Sequence, residues 1–315
     1  MATVRDLVLG DLALPGATRP GGELGVVLAC AQGVLDHCPT GKGSIMWRVL
    51  ADKVCWGGHS ESSSHATLGR TRMRLQLLSD LHFEFHRDGG RSFVESLDPT
   101  GIDVLVLAGD IAVADGIPPA LELLCRRFRD ASVVYVHGNH EYYNTNRGCV
   151  LDLTRRAQAE NPNLVWLDSS GTELLGFNFL GAPLWFPRST VDGGLKHALS
   201  DFSVIEDFES WVYEENARAV AFFDQQLGPG DIVVTHHLPS QRCVAPRFVG
   251  NPLNPFFVCD LTELILERRP RLWLHGHSHA SMRIQIGETT VLCNPFGYMG
   301  EEPNREFLDR LVVEF

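Results

Sequence analysis

Five segments of the chain place metal-binding side chains directly after short apolar stretches. The residues are aspartate, asparagine and histidine, without cysteine. The stretches and the candidates that follow them are 75–79 with Asp80 and His82, 104–108 with Asp110, 133–136 with Asn139 and His140, 232–235 with His236 and His237, and 272–274 with His275, His277 and His279. Such a set favours borderline first-row metals over thiolate zinc, and the abundance of imidazole disfavours a calcium or magnesium cage.

Each segment alone also has an ordinary structural interpretation. A histidine at a strand end is usually a satisfied polar side chain, and an aspartate after glycine usually forms a turn or a helix cap. The coincidence of five such segments is the signal, because seven of the ten histidines after Met73 lie in them. In open α/β sheets ligands bind outside the carboxyl ends of strands, so these groups are expected to converge in one crevice.

The spacing of the candidates predicts two ions rather than one. Asp80 and His82 are two residues apart and project to the same side if strand geometry continues, so both can bind one ion. His277 and His279 either share an ion or contribute to two. With this many ligands, two ions that share a carboxylate are expected, and Asp110 is the natural bridge.

The elements that must position these groups begin at Met73. Apolar stretches of four to six residues alternate with helical segments such as 118–128 and 145–159, which predicts an α/β domain over residues 73–315. The later part favours hairpins at 173–182, 282–293 and 307–315, with Gly176 and Gly287 at turns. Arginine clusters at 126–129 and 268–271 are expected at the carboxyl ends of helices.

Residues 1–72 differ sharply in composition. They contain 2 of the 28 aromatic residues and 11 glycines, and they show no helical or strand periodicity. We expect a low-information N-terminal extension without its own core. It is either a regulatory extension or the product of a start codon assigned upstream of Met73.

The overall composition excludes several classes of function. The formal charge is -12, with a net of -13 on residues 73–315, which opposes an extended nucleic-acid groove. No apolar run reaches the roughly 18 residues that a membrane helix needs, and the N-terminus lacks the pattern of a secretory signal. Eight cysteines without a CxxC pair predict a reducing environment, so a cytoplasmic location is expected.

The motifs DLH, GD, GNHE, THH and GHSH occur in this order, and the series resembles the calcineurin-like metallophosphoesterase superfamily. GAPLW, SDF and NPFGY are similar to its small bacterial-type branch. The resemblance implies a four-layer sandwich of two mixed β-sheets flanked by helices. It also implies that Asp80, His82 and His279 hold the first metal, that Asp110 bridges, and that Asn139, His236 and His277 hold the second.

The sequence leaves more than one role open for several histidines. His137 stands where the family often has proline, and it is either a support for the ligands or simply buried on its strand. In the THH segment the family pattern favours His236 as the ligand, with His237 as the alternative. His275 is expected to support the ligands from behind, and His86 and His197 are expected to be solvated.

The resemblance implies a dinuclear metal-dependent hydrolase that cleaves phosphate mono- or diesters by attack of a metal-bridging hydroxide. Two divalent transition-metal ions (Mn, Fe, Zn or similar), two aspartates and a hydroxide leave a charge of about +1 for a small phosphorylated substrate. His140 is expected to assist the leaving oxygen.

The alternative is a catalytically inactive metal-binding scaffold of the same fold, which would have gaps among these residues. In the enzyme, the loops at 183–207 and 240–260 are expected to form the substrate walls. Arg188, Arg242 and Arg247 are candidate phosphate contacts.

Overall fold

The computed structural model describes residues 72–188 and 193–315. The predicted N-terminal extension lies outside these residues except for Arg72, and its lack of a core stays a prediction. No helix within the described ranges is long and apolar enough to cross a membrane.

Strands and helices alternate through the first half of the described chain, and strands dominate its end. In chain order the strands are β1 (Arg74–Leu78), β2 (Val104–Ala108), β3 (Ser132–Val136), β4 (Leu164–Trp166), β5 (Ser170–Leu174), β6 (Phe177–Ala182), β7 (Ile232–Thr235), β8 (Leu272–His275), β9 (Met282–Ile286), β10 (Thr289–Cys293), β11 (Gly297–Tyr298), β12 (Glu302–Pro303) and β13 (Val312–Glu314). The α-helices are α1 (Arg91–Ser96), α2 (Ile117–Arg127), α3 (Arg147–Glu160), α4 (Asp201–Val204), α5 (Phe208–Gln226) and α6 (Thr262–Arg268).

The strands form two mixed sheets and a short ribbon. The first sheet has the order β13-β1-β2-β3-β4, and it is parallel except where β13 joins β1. The second has the order β5-β6-β7-β8-β10-β9, with a parallel centre and an antiparallel pair at each edge. Strands β11 and β12 pair separately. The prediction of two mixed sheets is confirmed.

The two sheets pack face to face, and helices cover their outer faces. Leu77 and Val106 of the first sheet share a core with Val234 and Leu274 of the second. On the outer faces, α2 and α3 pack on the first sheet, and α5 and α6 pack on the second. Strand β2 is therefore buried along its whole length, which explains why its sequence is a continuous apolar run. These layers are the predicted four-layer sandwich.

Two of the three predicted hairpins are present. Strands β5 and β6 turn at Gly176 and strands β9 and β10 turn at Gly287, and both glycines have positive φ, 82° and 59°. The third prediction, a hairpin at 307–315, is wrong because only β13 forms there and it pairs with β1. The side chain of Asn294 bonds both the N–H and the C=O of Leu308. These bonds hold the segment before β13 away from a strand conformation.

The two predicted helices correspond to α2 and α3 within two residues at each end. Arg126 and Arg127 lie in the last turn of α2, and Arg268 lies in the last turn of α6. Their guanidinium groups therefore sit at the negative ends of helix dipoles, as expected.

We predict that residues 73–315 fold without residues 1–72. Met73 is already buried, and its carbonyl accepts a hydrogen bond from the Phe315 N–H at 3.0 Å, so the sandwich closes on itself. Thermal unfolding should give a midpoint within about 2 °C of the full chain. A chain that starts at Ser79 lacks β1, which lies between β13 and β2, and it should not fold. An insoluble 73–315 product would show that the extension completes the core.

Candidate metal centre

The sequence-predicted site residues converge where five parallel strands end. They come from the loops after β1 (Asp80, His82), β2 (Asp110), β3 (Asn139, His140), β7 (His236) and β8 (His277, His279). His277 and His279 are half-buried, and the other six are buried. The carboxyl ends of parallel strands meet at one edge of each sheet, which brings together residues nearly 200 positions apart.

Asp80, His82 and His279 form the first group of candidate ligands. The Nε2 atoms of His82 and His279 lie 3.1 Å apart, and His279 Nε2 is 3.5 Å from Asp80 Oδ1. Both Asp80 oxygens accept the backbone N–H of His277, at 2.9 and 3.1 Å, so the carboxylate is held in place.

Asp110, His236 and His277 form the second group. His236 Nε2 lies 3.3 Å from Asp110 Oδ2 and 3.2 Å from Asn139 Oδ1. The other ring nitrogen of His236 bonds the carbonyl of Ala108 at 2.9 Å, which directs Nε2 into the group.

Asp110 belongs to the second group and also faces the first. Its Oδ1 accepts the His140 N–H at 2.9 Å, whereas its Oδ2 lies 3.3 Å from His236 Nε2 and 3.8 Å from His82 Nε2. One carboxylate oxygen thus faces a histidine of each group.

The backbone of the candidate ligands is strained. Five of the seven have positive φ: Asp80 (52°), His82 (47°), Asp110 (56°), His277 (70°) and His279 (45°). Each non-glycine residue in this region costs roughly 1–2 kcal/mol. Asp80 and His82 therefore converge because the chain turns sharply after β1, and not because strand geometry continues.

Two glycines allow the groups to approach each other. A Cβ on Gly138 would collide with the Asp110 carboxylate, and a Cβ on Gly276 would lie 2.6 Å from Asp80 Oδ2 and 3.1 Å from His236 Nδ1. Both glycines precede candidate ligands in the GNHE and GHSH motifs. Their small size keeps the two aspartates close to the loops that face them.

His140 lies between a carboxylate and a phenol. Its Nδ1 is 3.0 Å from Glu84 Oε1, and its Nε2 is 3.2 Å from the Tyr298 hydroxyl. The same Glu84 oxygen lies 3.1 Å from His82 Nδ1, so one carboxylate orients two histidines. His140 also belongs to a group with His82 and Asp110 that could hold an ion, so its position fits a ligand as well as a proton donor.

Glu141, the last residue of GNHE, accepts hydrogen bonds from the loops after β2 and β3. Its Oε1 accepts the Ile111 N–H and the Tyr135 hydroxyl, both at 2.8 Å. Its Oε2 accepts the N–H groups of Gly138 and Asp110 at 2.8 and 3.1 Å. Burial, together with the charge of Asp110, raises the pKa of Glu141 to about 7.

The charges of the candidate ligands are strongly coupled. Burial opposes ionisation of Asp110, but His236 and His140 outweigh it and hold the pKa of Asp110 well below its ordinary value. Burial likewise opposes protonation of His236 and His140, but Asp110 raises their pKa values to about 10 and about 9. Burial and His237 keep the pKa of His277 well below its ordinary value.

The remaining histidines occupy different environments. His137 is buried directly after the end of β3, and its ring bonds the hydroxyls of Tyr142 and Thr154 at 2.9 and 2.7 Å. His197 is exposed, as expected. The expectation that His86 is solvated is wrong. Its side chain is buried because Phe83, Phe93 and Phe296 surround the ring, and its Nε2 lies 3.0 Å from the Leu81 carbonyl.

His237 and His275 each keep one buried ring nitrogen without a partner, namely Nε2. His237 Nδ1 lies 3.3 Å from the Pro183 carbonyl, and its ring packs 4.3 Å from that of His277. His275 Nδ1 contacts the Gly276 carbonyl at 2.9 Å. Neither residue belongs to the three groups of candidate ligands found among the described residues.

The donor set fits divalent transition metals. Metal bonds of about 2.1 Å place neighbouring ligand atoms roughly 3 to 3.5 Å apart. The His82–His279 and His236–Asp110 separations, 3.1 and 3.3 Å, agree with this spacing. Two buried carboxylates also need compensating positive charge, which metal ions supply.

The calcineurin-like phosphoesterase family model matches residues 73–281, more than half of the chain. The chain therefore belongs to the calcineurin-like phosphoesterase family. "Uncharacterized protein L509" of Acanthamoeba polyphaga mimivirus is 26% identical over 270 residues, which cover 73% of this chain and 93% of that protein.

A mycobacterial phosphodiesterase is a further relative. [Acyl-carrier-protein] phosphodiesterase PptH of Mycobacterium tuberculosis is 42% identical over 96 residues, 30% of this chain and 27% of that protein. The crystal structure of Phosphopantetheinyl Hydrolase (PptH) from that organism aligns with a TM-score of 0.61 at 20% identity, covering 78% of this chain and 96% of that chain. The two proteins share the fold.

Sequence reasoning missed several residues of the site. Glu84, Tyr298 and Asp201 all contact predicted site residues, Asp201 Oδ1 by accepting the Asn139 Nδ2–H at 3.0 Å. Asp201 lies within SDF and Tyr298 ends NPFGY, and Glu84 lies two residues after the DLH motif. Their position in these motifs was a signal, but only the folded chain shows what they contact.

We predict that Glu141 is essential for stability. Glu141→Ala leaves three buried N–H groups unpaired at about 1–3 kcal/mol each, so the free energy of unfolding should fall by about 4 kcal/mol or more. Glu141→Gln keeps one acceptor oxygen and should lose about half as much. Chemical denaturation measures both, with the exposed Glu122→Ala as control at below about 0.5 kcal/mol. Equal stability of Glu141→Ala and the control would contradict this role.

Proposed function

We propose that this chain is a dinuclear metal-dependent hydrolase of phosphate mono- or diesters. The observation that carries the proposal is the position of Asp110, whose Oδ2 faces His236 of one group and His82 of the other. Asp80, His82 and His279 would hold one ion, Asn139, His236 and His277 the other, and Asp110 both. When bound, two divalent ions such as Mn, Fe or Zn would polarise the phosphoryl oxygens and supply a nucleophile at neutral pH.

The protein's own residues would bind and orient these groups. Asn139 offers Oδ1 because its Nδ2 donates to Asp201, and His236 offers Nε2 because its Nδ1 faces the Ala108 carbonyl. Such partners fix which ring nitrogen is free to bind. The arrangement would thus present Asn139 Oδ1 and His236 Nε2 to the centre without a rearrangement of side chains, and metal binding would release the proton from Nε2.

His140 would donate a proton to the leaving oxygen. With Nδ1–H donating to Glu84 Oε1, a second proton on Nε2 would point toward the Tyr298 hydroxyl and the cavity beside the centre. The Glu84 carboxylate keeps the ring in this orientation and stabilises its cationic form.

A phosphodiester is the first substrate class to assay. The mycobacterial relative is named a phosphodiesterase, and the segment it shares with this chain is 42% identical. The inactive-scaffold alternative predicts gaps in the ligand set, whereas all seven candidates and His140 occupy one crevice here. A reducing, cytoplasmic location is consistent with the free thiols of the five cysteines among the described residues.

We predict that Asp110→Asn removes activity more completely than the loss of any single histidine ligand. The bridge would serve both ions, so its loss should lower metal content from about two per chain to below one. Elemental analysis with a Mn-dependent diesterase assay measures both effects, and His279→Ala serves as the comparison. About one tightly bound ion in a fully active wild-type protein would contradict the dinuclear proposal.

We predict that His140→Ala keeps both metals but slows esters of poorly activated alcohols by about 10² to 10⁴, the usual range for positioned proton transfer. Esters of acidic phenols leave without a proton and should be affected much less. Glu84→Gln should show a weaker form of this dependence of the rate loss on the leaving group. The exposed His197→Ala should show no such dependence.

A leaving-group series at fixed pH, with metal content measured for each preparation, tests the role of His140. Equal losses across the series would exclude proton donation. A loss that follows metal depletion would make His140 a ligand or a structural residue.

A further inference from the structure

A cavity of about 160 Å³ adjoins the candidate metal centre. One end is lined by Asp110, His140, His277, His279 and Tyr298. The volume is below the roughly 300–1,000 Å³ of sites that enclose drug-sized ligands. The cavity therefore suits a small group attached to a phosphate at the centre, and not a whole nucleotide.

The rest of the lining is mainly apolar and firmly supported. Its apolar side chains are Leu199, Leu238, Val244, Phe248, Leu253 and Phe256, and Ser200, Asp201, Asn251 and Asn254 also line the cavity. Phe256 is buried, and its ring lies 5.4 Å from Phe186 and 5.8 Å from Phe202, so this wall is continuous with the core of the first sheet and its helices. Both predicted wall segments, 183–207 and 240–260, contribute to it.

Among the described residues that line the cavity, the one arginine already contacts other groups, including the His279 carbonyl at 3.4 Å. Apart from the histidines of the centre, Arg247 is the cationic side chain among the described residues that line the cavity. Its Nη1 lies 3.6 Å from Glu302 Oε1, and its guanidinium packs 4.7 Å from the Phe248 ring. Arg188 instead packs on Tyr213 at 4.3 Å, and neither it nor Arg242 lines the cavity.

We propose that this cavity binds the organic group of the substrate, and that this group is small, uncharged and apolar. The inference rests on the proposed phosphoesterase activity and names its substrate class. Burying an apolar group against these side chains favours binding, whereas a second phosphate would lose its hydration beside Asp201 and an arginine that already faces Glu302. Substrates with several phosphates are therefore disfavoured.

A diester series with a constant leaving group tests this specificity. Full-length protein with Mn²⁺ is assayed on p-nitrophenyl methyl, ethyl, butyl and phenyl phosphates, in which water adds to phosphorus and the bond to p-nitrophenolate breaks. Each buried methylene should raise kcat/KM roughly fourfold, so butyl should exceed methyl by about 10- to 60-fold. The p-nitrophenyl ester of thymidine 5′-phosphate should be a poorer substrate than the butyl ester.

Two variants of the cavity wall and one matched control test whether the preference for larger apolar groups arises in this cavity. Leu253→Asn and Leu199→Asn place a polar group on opposite segments of the wall, and both positions are only half-buried, so the fold should persist. Each should lower kcat/KM for the butyl ester about 5- to 30-fold and for the methyl ester less than threefold. Val249→Asn alters the same loop as Leu253 at a side chain that is 73% exposed and outside the cavity, and it should keep the wild-type preference.

A binding measurement separates this inference from turnover. Butylphosphonate should raise the thermal unfolding midpoint of Mn²⁺-loaded protein more than methylphosphonate does, and Leu253→Asn should remove that difference. Activity on the methyl ester without any preference for larger apolar groups, or a preference unchanged in both wall variants, would overturn the inference and leave the phosphoesterase proposal standing. Inactivity on every ester would overturn both.

Discussion

The structure depends on two aspartates that are buried at the carboxyl ends of neighbouring strands. Asp80 and Asp110 are 0% and 2% exposed, and an ionised carboxylate without partners at such depth would be strongly destabilising. The chain compensates them with backbone N–H groups and with the imidazoles that surround them. The same surroundings hold the pKa of both aspartates below its ordinary value, so the carboxylates remain available to cations.

The surrounding fold supports this arrangement at a cost. Positive φ at five candidate ligands costs roughly 1–2 kcal/mol at each of them. A sandwich whose sheets are buried on both faces can offset such strain, because the strand ends that carry the loops cannot shift. Glu141 adds a second restraint, since two hydrogen bonds from the loop after β2 and two from β3 and its loop meet at its carboxylate.

In the proposed enzyme, metal binding and substrate choice would depend on different parts of the chain. The candidate ligands follow strands that the core holds in place, whereas the cavity wall comes from the segments before and around α4 and between β7 and α6. Loops of this kind vary without altering the sheets, so one family fold can serve different esters. In the proposed enzyme the positive charge of the bound metal ions would be confined to the centre, so an acidic protein would still bind a phosphate ester.

The sequence by itself determined an α/β domain and the set of residues that meet at the strand ends, and its resemblance to a known superfamily implied the sandwich of two mixed sheets. Apolar runs followed by aspartate, asparagine or histidine are local features, and the carboxyl ends of parallel strands must share an edge. It did not determine that His86 is buried, that 307–315 is no hairpin, or that Glu84 joins His82 to His140. Those outcomes depend on packing between segments far apart in the chain, such as Phe296 against His86 and Asn294 against Leu308. A local pattern cannot encode which distant side chain will be the neighbour, and only the tertiary structure decided it.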